Sequence, residues 1–185
     1  MEKAHETIEN HAPHGDPWAR GVAVMVSVLA AALALSEIGG KAAQNQYLTH
    51  HIALSNDWAF YQAKKQRTVM LAAEAEILES LPNAADPAVQ ARIKAAQAYI
   101  AHAQDDPKGG EGMKQLAEKA RRQEIERDVA GHRYHLFEYA VGALEIAIVL
   151  SSVSVVTRSR AMTVGAGILG ALTSLGALAV ALHWF

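Results

Sequence analysis

Two stretches near the end of the chain, 136–156 and 161–183, contain no lysine or arginine, and only four residues lie between them. Each exceeds the roughly 20 apolar residues that cross a bilayer core of about 30 Å. This segregation constrains the fold more than any local propensity does. A soluble amphipathic helix mixes apolar and basic residues at helical period, whereas this chain sorts them into blocks. Of its 17 lysines and arginines, 13 fall within residues 37–133. A third apolar block, GVAVMVSVLAAALAL from Gly21 to Leu35, carries no charge. The expectation is an all-α, three-span membrane protein with transmembrane helices at 17–38, 134–156 and 161–183.

The first block reads as a span rather than a cleaved leader. A leader needs a basic start, but the first 17 residues hold one lysine against Glu2, Glu6, Glu9 and Asp16. Asp16-Pro17 is an N-cap followed by proline at the first helical position, and Trp18 and Arg20 suit a headgroup region. Residues 1–16 are expected to be a flexible tail. The segment Thr157–Arg160 is short enough to join only antiparallel neighbours, so the second and third spans form a hairpin.

Residues 39–133 are expected to form an extramembrane helical hairpin, with helices at about 39–80, 87–104 and 113–133. Strong helix formers dominate after the adjacent Gly39-Gly40, where a bend is expected. Leu81-Pro82-Asn83 ends the first arm and Asp86-Pro87 caps the next helix. Residues 105–112, DDPKGGEG, form a loop. On a rise of 1.5 Å per residue the outgoing arm, taken from residue 37 to 80, spans about 66 Å and the returning pieces about 59 Å. Arms of similar length suit a long antiparallel stalk inserted between span 1 and the span 2–3 hairpin. The periodic apolar positions Val69, Ala73 and Ile77, then Leu116 and Ala120, then Ile125, Val129, His132 and Leu136, are expected to line it. A stripe so rich in alanine packs weakly, which favours a homo-oligomer or association with other membrane-protein subunits.

A net charge of −2, with acidic and basic residues interleaved, argues against a nucleic-acid surface. The chain has no cysteine, so neither disulfides nor thiolate metal sites are available. No nucleophile–base or metal constellation stands out, so neither enzymatic activity nor a cofactor is expected. Arg20, Arg158 and Arg160 place the N-terminus and the 157–160 loop in the cytoplasm by the positive-inside rule, the stalk in the periplasm and His183-Trp184-Phe185 at the outer interface.

Several residues break the pattern. Glu138 and Glu145 lie inside the second span, where a carboxylate costs about 2.5–3.5 kcal/mol on insertion scales. Seven residues make almost two turns, so both share a face, expected to look into the bundle. Ser27, Ser36, Ser151, Ser152, Thr173 and Ser174 are candidate hydroxyl donors to them. Three readings stand: neutral, hydrogen-bonded acids that join helices, a proton or cation site around an oligomer axis, or docking to another membrane protein. His132, His135 and Glu138 have a spacing that can ligate a metal but fan across the helix, so interfacial histidines are the simpler reading. His5, His11 and His14 in the tail are a weaker lure. Asn56, Asp57, Trp58, Phe60 and Tyr61 form either a packing knot or a partner-docking patch. Ala166, Gly170 and Ser174 give small-xxx-small steps for close helix packing.

The segment NDWAFYQAK from Asn56 to Lys64, and LEIAIVLSSV from Leu144 to Val153 followed by a basic loop, resemble an uncharacterised, domain-of-unknown-function family of small bacterial three-span membrane proteins. The resemblance covers essentially the whole chain. It implies a bacterial inner membrane and no activity. The function expected is that of a structural or accessory membrane protein; the alternative is an oligomeric channel or proton- or cation-conducting pore built on the carboxylates of span 2.

Overall fold

A computed structural model describes residues 16–182. Its elements are four helices, α1 (Pro17–Ser80), α2 (Pro87–Gln104), α3 (Met113–Thr157) and α4 (Arg160–Leu182), with no strand among the described residues. The expected flexible tail with His5, His11 and His14, and the expected interfacial anchor at His183-Trp184-Phe185, lie outside the described residues, except for Asp16.

The helix ends follow from local chemistry. The Asp16 carboxylate accepts from the Trp18 amide at 3.1 Å and that of Asp86 from the Ala88 amide at 2.8 Å. Each aspartate thus satisfies a donor that the first turn leaves unpaired, and the proline that follows has no amide hydrogen to satisfy. The α3–α4 connection is two residues long. Arg158 adopts the left-handed conformation at φ 51°, and the Ser159 amide donates to the Ser154 carbonyl at 3.1 Å, which is the six-to-one bond of a Schellman turn. Glycine fills this position most easily, so the arginine is held there against its backbone preference.

The chain divides into two compact units. One comprises the described parts of Met1–Ala43 and His132–Phe185, the other Gln44–Gly131. In the first unit, three apolar segments pack side by side. Leu29, Leu144 and Ala147 form the buried centre, with Met25, Ala32, Leu33, Ile148 and Leu169 around it. Glycines set the approach. A Cβ on Gly39 would lie 2.7 Å from the Phe137 ring, and one on Gly170 would lie 2.2 Å from Leu29 Cδ2. Gly39-Gly40 therefore admits the Phe137 ring, and α1 runs through the pair as unbroken helix. The order of these contacts makes α1 antiparallel to α3 and parallel to α4.

All three segments are long and apolar enough to cross a membrane, yet only 17%, 28% and 11% of their most apolar stretches are buried within the chain. Val24, Val28, Leu35, Val149, Ile168 and Leu172 are among the large side chains left outside. The bundle thus has a small interior and a broad apolar exterior.

In the second unit, α1 pairs antiparallel first with α3 and then with α2. Tyr47 meets Gly131, His50 meets Gln123, and Asp57 meets Lys119. Further along, Arg67 stacks on Tyr99, and Glu74 pairs with Arg92. The apolar core under α2 is Ala75, Ile93 and Ala96, flanked by Leu71, Leu78 and Val89.

This corrects the expected stripe. Leu116 and Ala120 are buried, but Val69, Ile77 and Ile125 are each more than 60% exposed, and Ala73, Val129, His132 and Leu136 are exposed too. The covered line on α1 instead runs through the buried Leu54, Asp57, Thr68 and Ala75 and the half-buried Leu71 and Leu78. Two apolar lines of equal period lie on α1, and the partner helices cover only one.

Two outcomes test this packing. Ile93→Ala should destabilise the second unit by about 2–5 kcal/mol, read as faster amide hydrogen exchange across α2, while Ile77→Ala changes exchange there by less than about 0.5 kcal/mol. Arg158→Gly should raise thermal stability, by about 1 kcal/mol, because it relieves a left-handed non-glycine residue.

Candidate functional site

The second apolar segment, on α3, carries the two acids. About 40° either side of one line along this helix, a 100° step per residue collects Glu138, Gly142, Glu145, Val149 and Ser152. The buried residues Phe137, Ala140, Leu144, Ala147 and Ser151 occupy the other side, against α1 and α4. Glu138 and Glu145 thus share a face, but that face points away from the bundle, contrary to the inward orientation expected of intramembrane carboxylates. Both are exposed on the chain. The physical reason is space: the interior is filled by Leu29, Leu144 and Ala147 at helix-to-helix contact.

The two acids differ in surroundings. Glu138 Oε1 accepts from the Tyr134 hydroxyl at 3.3 Å, and Oε2 lies 3.2 Å from His135 Nδ1. His132 is exposed and takes no part, and no group of three His, Asp or Glu side chains among the described residues is placed to hold a metal ion. Glu145, two turns further on, has no polar partner among the described residues. Five of the six expected hydroxyl donors are occupied. Ser27, Ser36, Ser151, Ser152 and Ser174 each donate to the carbonyl four residues earlier in their own helix, at 2.7–3.0 Å. Such back-bonding satisfies a hydroxyl inside an apolar helix without any partner. Between α3 and α4, the Thr163 hydroxyl donates to the Ser154 hydroxyl at 2.9 Å and that of Thr157 to the Met162 sulfur at 3.8 Å.

The small residues of α4 fall on two sides. Ala166 and Gly170 are buried, with Gly170 under Leu29 and Gly167 near Met25. Ser174 is half-buried. Gly165 and Gly176 face open space.

In the second unit the aromatic segment splits by face. Asp57 is buried, and its Oδ1 accepts from Lys119 Nζ at 2.9 Å, whereas Oδ2 is buried without a hydrogen-bond partner. Trp58 and Phe60 are about 40% exposed. Trp58 meets Tyr61 edge to face at 5.4 Å between ring centres, and Lys64 stands 5.0 Å over the Phe60 ring while donating to the Glu111 carbonyl. Asn56 is exposed. A shallow recess of about 390 Å³ opens between His51, Leu54, Ser55, Trp58, Ala59 and Gln62. Asp57 therefore joins helices, and Trp58 and Phe60 present rings outward.

Sequence reasoning missed the partners. Lys119 for Asp57, and Gln123 and Glu126 for His50 at 2.8 and 3.2 Å, sit on another helix, and no spacing rule connects them. Nearby, the Asp128 carboxylate accepts from Arg127 and holds its guanidinium above the ordinary value.

The two kinds of cross-helix ion pair should behave differently. Lys119→Ala strands the Asp57 carboxylate at a position about nine-tenths buried, and should lower stability by about 1–3 kcal/mol. Arg92→Ala removes an exposed pair with Glu74, for which about 0–1 kcal/mol is expected. Thermal unfolding of the two variants side by side gives the order.

A protein-family model described as a domain of unknown function, DUF4337, matches residues 18–183, from the first turn of α1 to the end of α4. No curated protein and no solved structure matches the chain.

Proposed function

The chain belongs to the DUF4337 family, and on that footing we propose that it is a structural or accessory membrane protein: three spans root it in a bilayer, and it works as a homo-oligomer or as a subunit of a larger membrane complex. The observation that carries this reading is the exterior of the first unit. Large apolar side chains cover its outside, and at most 28% of any segment's most apolar stretch is buried within the chain. Lipid is the solvent that such a surface fits.

Charge supports the division of labour. Residues 44–131 hold 11 of the 17 lysines and arginines and 12 of the 19 aspartates and glutamates. That segment is too charged for hydrocarbon, so in this reading it is an antiparallel helical stalk outside the bilayer. Orientation follows the basic turn. Arg158 occupies a left-handed position that glycine would fill with less strain, so its charge, with Arg160, is the reason for its presence. This favours a cytoplasmic hairpin turn and N-terminus, a periplasmic stalk and a bacterial inner membrane.

The second reading is an oligomeric pore lined by Glu138 and Glu145. One observation favours it: both acids face outward on the chain, where neighbouring copies around an axis would bring them together.

The test is the copy number of the purified full-length protein in lipid nanodiscs, with ion flux measured after reconstitution in liposomes. A particle of two or more copies, or one with other membrane subunits, without flux is the expected result. Flux abolished by Glu145→Gln at unchanged particle size would establish the pore. A protein that leaves the membrane fraction on a carbonate wash would end both readings.

A further inference from the structure

The outward face of α3 has a feature that lipid does not explain. Glu145 lies in the middle of the most apolar part of this helix, exposed, with no polar partner among the described residues. Val149 and Ile146 beside it are apolar and exposed, as lipid requires. A carboxyl facing hydrocarbon alone costs several kcal/mol more than one that is hydrogen-bonded. Something outside this chain therefore covers it.

We propose that the occupant is a second copy of the chain, packed in parallel along Glu138, Gly142, Glu145, Val149 and Ser152, with the two Glu145 side chains joined as a neutral carboxyl pair. This rests on the homo-oligomeric form of the reading above and names its interface. Three observations select a second copy. First, residues 136–156 and 161–183 carry no lysine or arginine, so a copy offers no cation, and the group it does offer at this depth is the same acid. A neutral carboxyl is self-complementary: each O–H donates to the other's carbonyl oxygen, and both are satisfied at once. A two-fold axis along the membrane normal brings each residue against itself, so it places Glu145 on Glu145. Second, Gly142 lies one turn before Glu145 on the same line, and a Cβ built there meets nothing within 4 Å. That notch faces outward and lets a second backbone come close, as small residues do between spans. Third, Glu138, at the end of the strip, is already held by Tyr134 and His135. Glu145 alone lacks a partner, so one shared contact completes the face.

The native chain contains no cysteine, so single cysteines can map the seam in full-length protein reconstituted in lipid. Gly142→Cys and Val149→Cys should each form a covalent dimer on mild oxidation, because a disulfide needs Cα atoms about 4.4–6.8 Å apart. Ile146→Cys and Leu172→Cys, exposed but off the strip, should stay monomeric. Adding Glu145→Ala to either seam variant should reduce cross-linking at least five-fold, while Glu145→Gln, whose amide pairs with itself in the same way, should retain it. Cross-linking at Ile146→Cys or Leu172→Cys instead, or cross-linking indifferent to Glu145→Ala, overturns the proposal. Copy number separates the two levels. A multi-copy particle without seam cross-links sinks this interface and leaves the oligomer standing. A single copy, alone or bound to another protein, sinks this interface and the homo-oligomer together.

Discussion

Leu29 is the side chain on which the apolar bundle depends. It lies against Leu144 and Ala147 on one side and directly over Gly170 on the other, so one residue of α1 touches both other apolar helices. The approach is possible because Gly170 has no side chain. It works together with the pocket that Gly39 leaves for Phe137 about ten residues further along α1, and these two contacts fix the mutual register of three helices whose surfaces are otherwise smooth and aliphatic. In hydrocarbon, burial of apolar area does not drive helices together; shape fit and close contact do. A leucine on a glycine and a phenyl ring on a glycine are the strongest shape signals in this unit, which is why few residues need to be buried for the bundle to be defined.

The interior made this way holds small hydroxyls but no carboxylate, and that explains the fate of the serines and the acids. Serines at buried positions turn back onto their own helix. The acids cannot enter at all, so they lie on the face of α3 opposite the one that packs. The second unit solves the same problem differently. There, one buried acid, Asp57, is tolerated at the helix contact because Lys119 reaches it from α3.

Much of the architecture was legible in the sequence because it is written in local chemistry. The Asp-Pro pairs at 16–17 and 86–87 mark the starts of α1 and α2, Leu81-Pro82 follows the end of α1, and the apolar blocks fall within the three helices apolar enough to cross a membrane. What was not legible is which side of each helix is covered. Val69, Ala73 and Ile77 recur at helical spacing, as do Leu71, Ala75 and Leu78, and periodicity alone cannot rank them. Ile93 and Ala96 on α2 decide it by covering the second line. Similarly, the spacing of Glu138 and Glu145 put them on one face, but only Leu144 and Ala147 fix that this face is the outer one. The aromatic segment at 56–61 reads as a single cluster in sequence and is split by the helix into an inward acid and outward rings.

Both errors point the same way, toward surfaces that a single chain leaves uncovered. The expected line on α1 leaves Val69, Ala73 and Ile77 exposed in the charged unit. The outward acids leave a carboxyl exposed in the apolar unit. Each is the wrong kind of side chain for the solvent its unit suits: aliphatic groups where charge predominates, and an acid where hydrocarbon is the matching medium. A random excess of surface polarity or apolarity would scatter such residues, but here each set is a line at helical spacing, which is the form a helix contact takes. On the oligomeric reading, the same physics that lets Leu29 and Gly170 define the bundle, complementary faces on helices of fixed period, extends beyond one chain along these two lines.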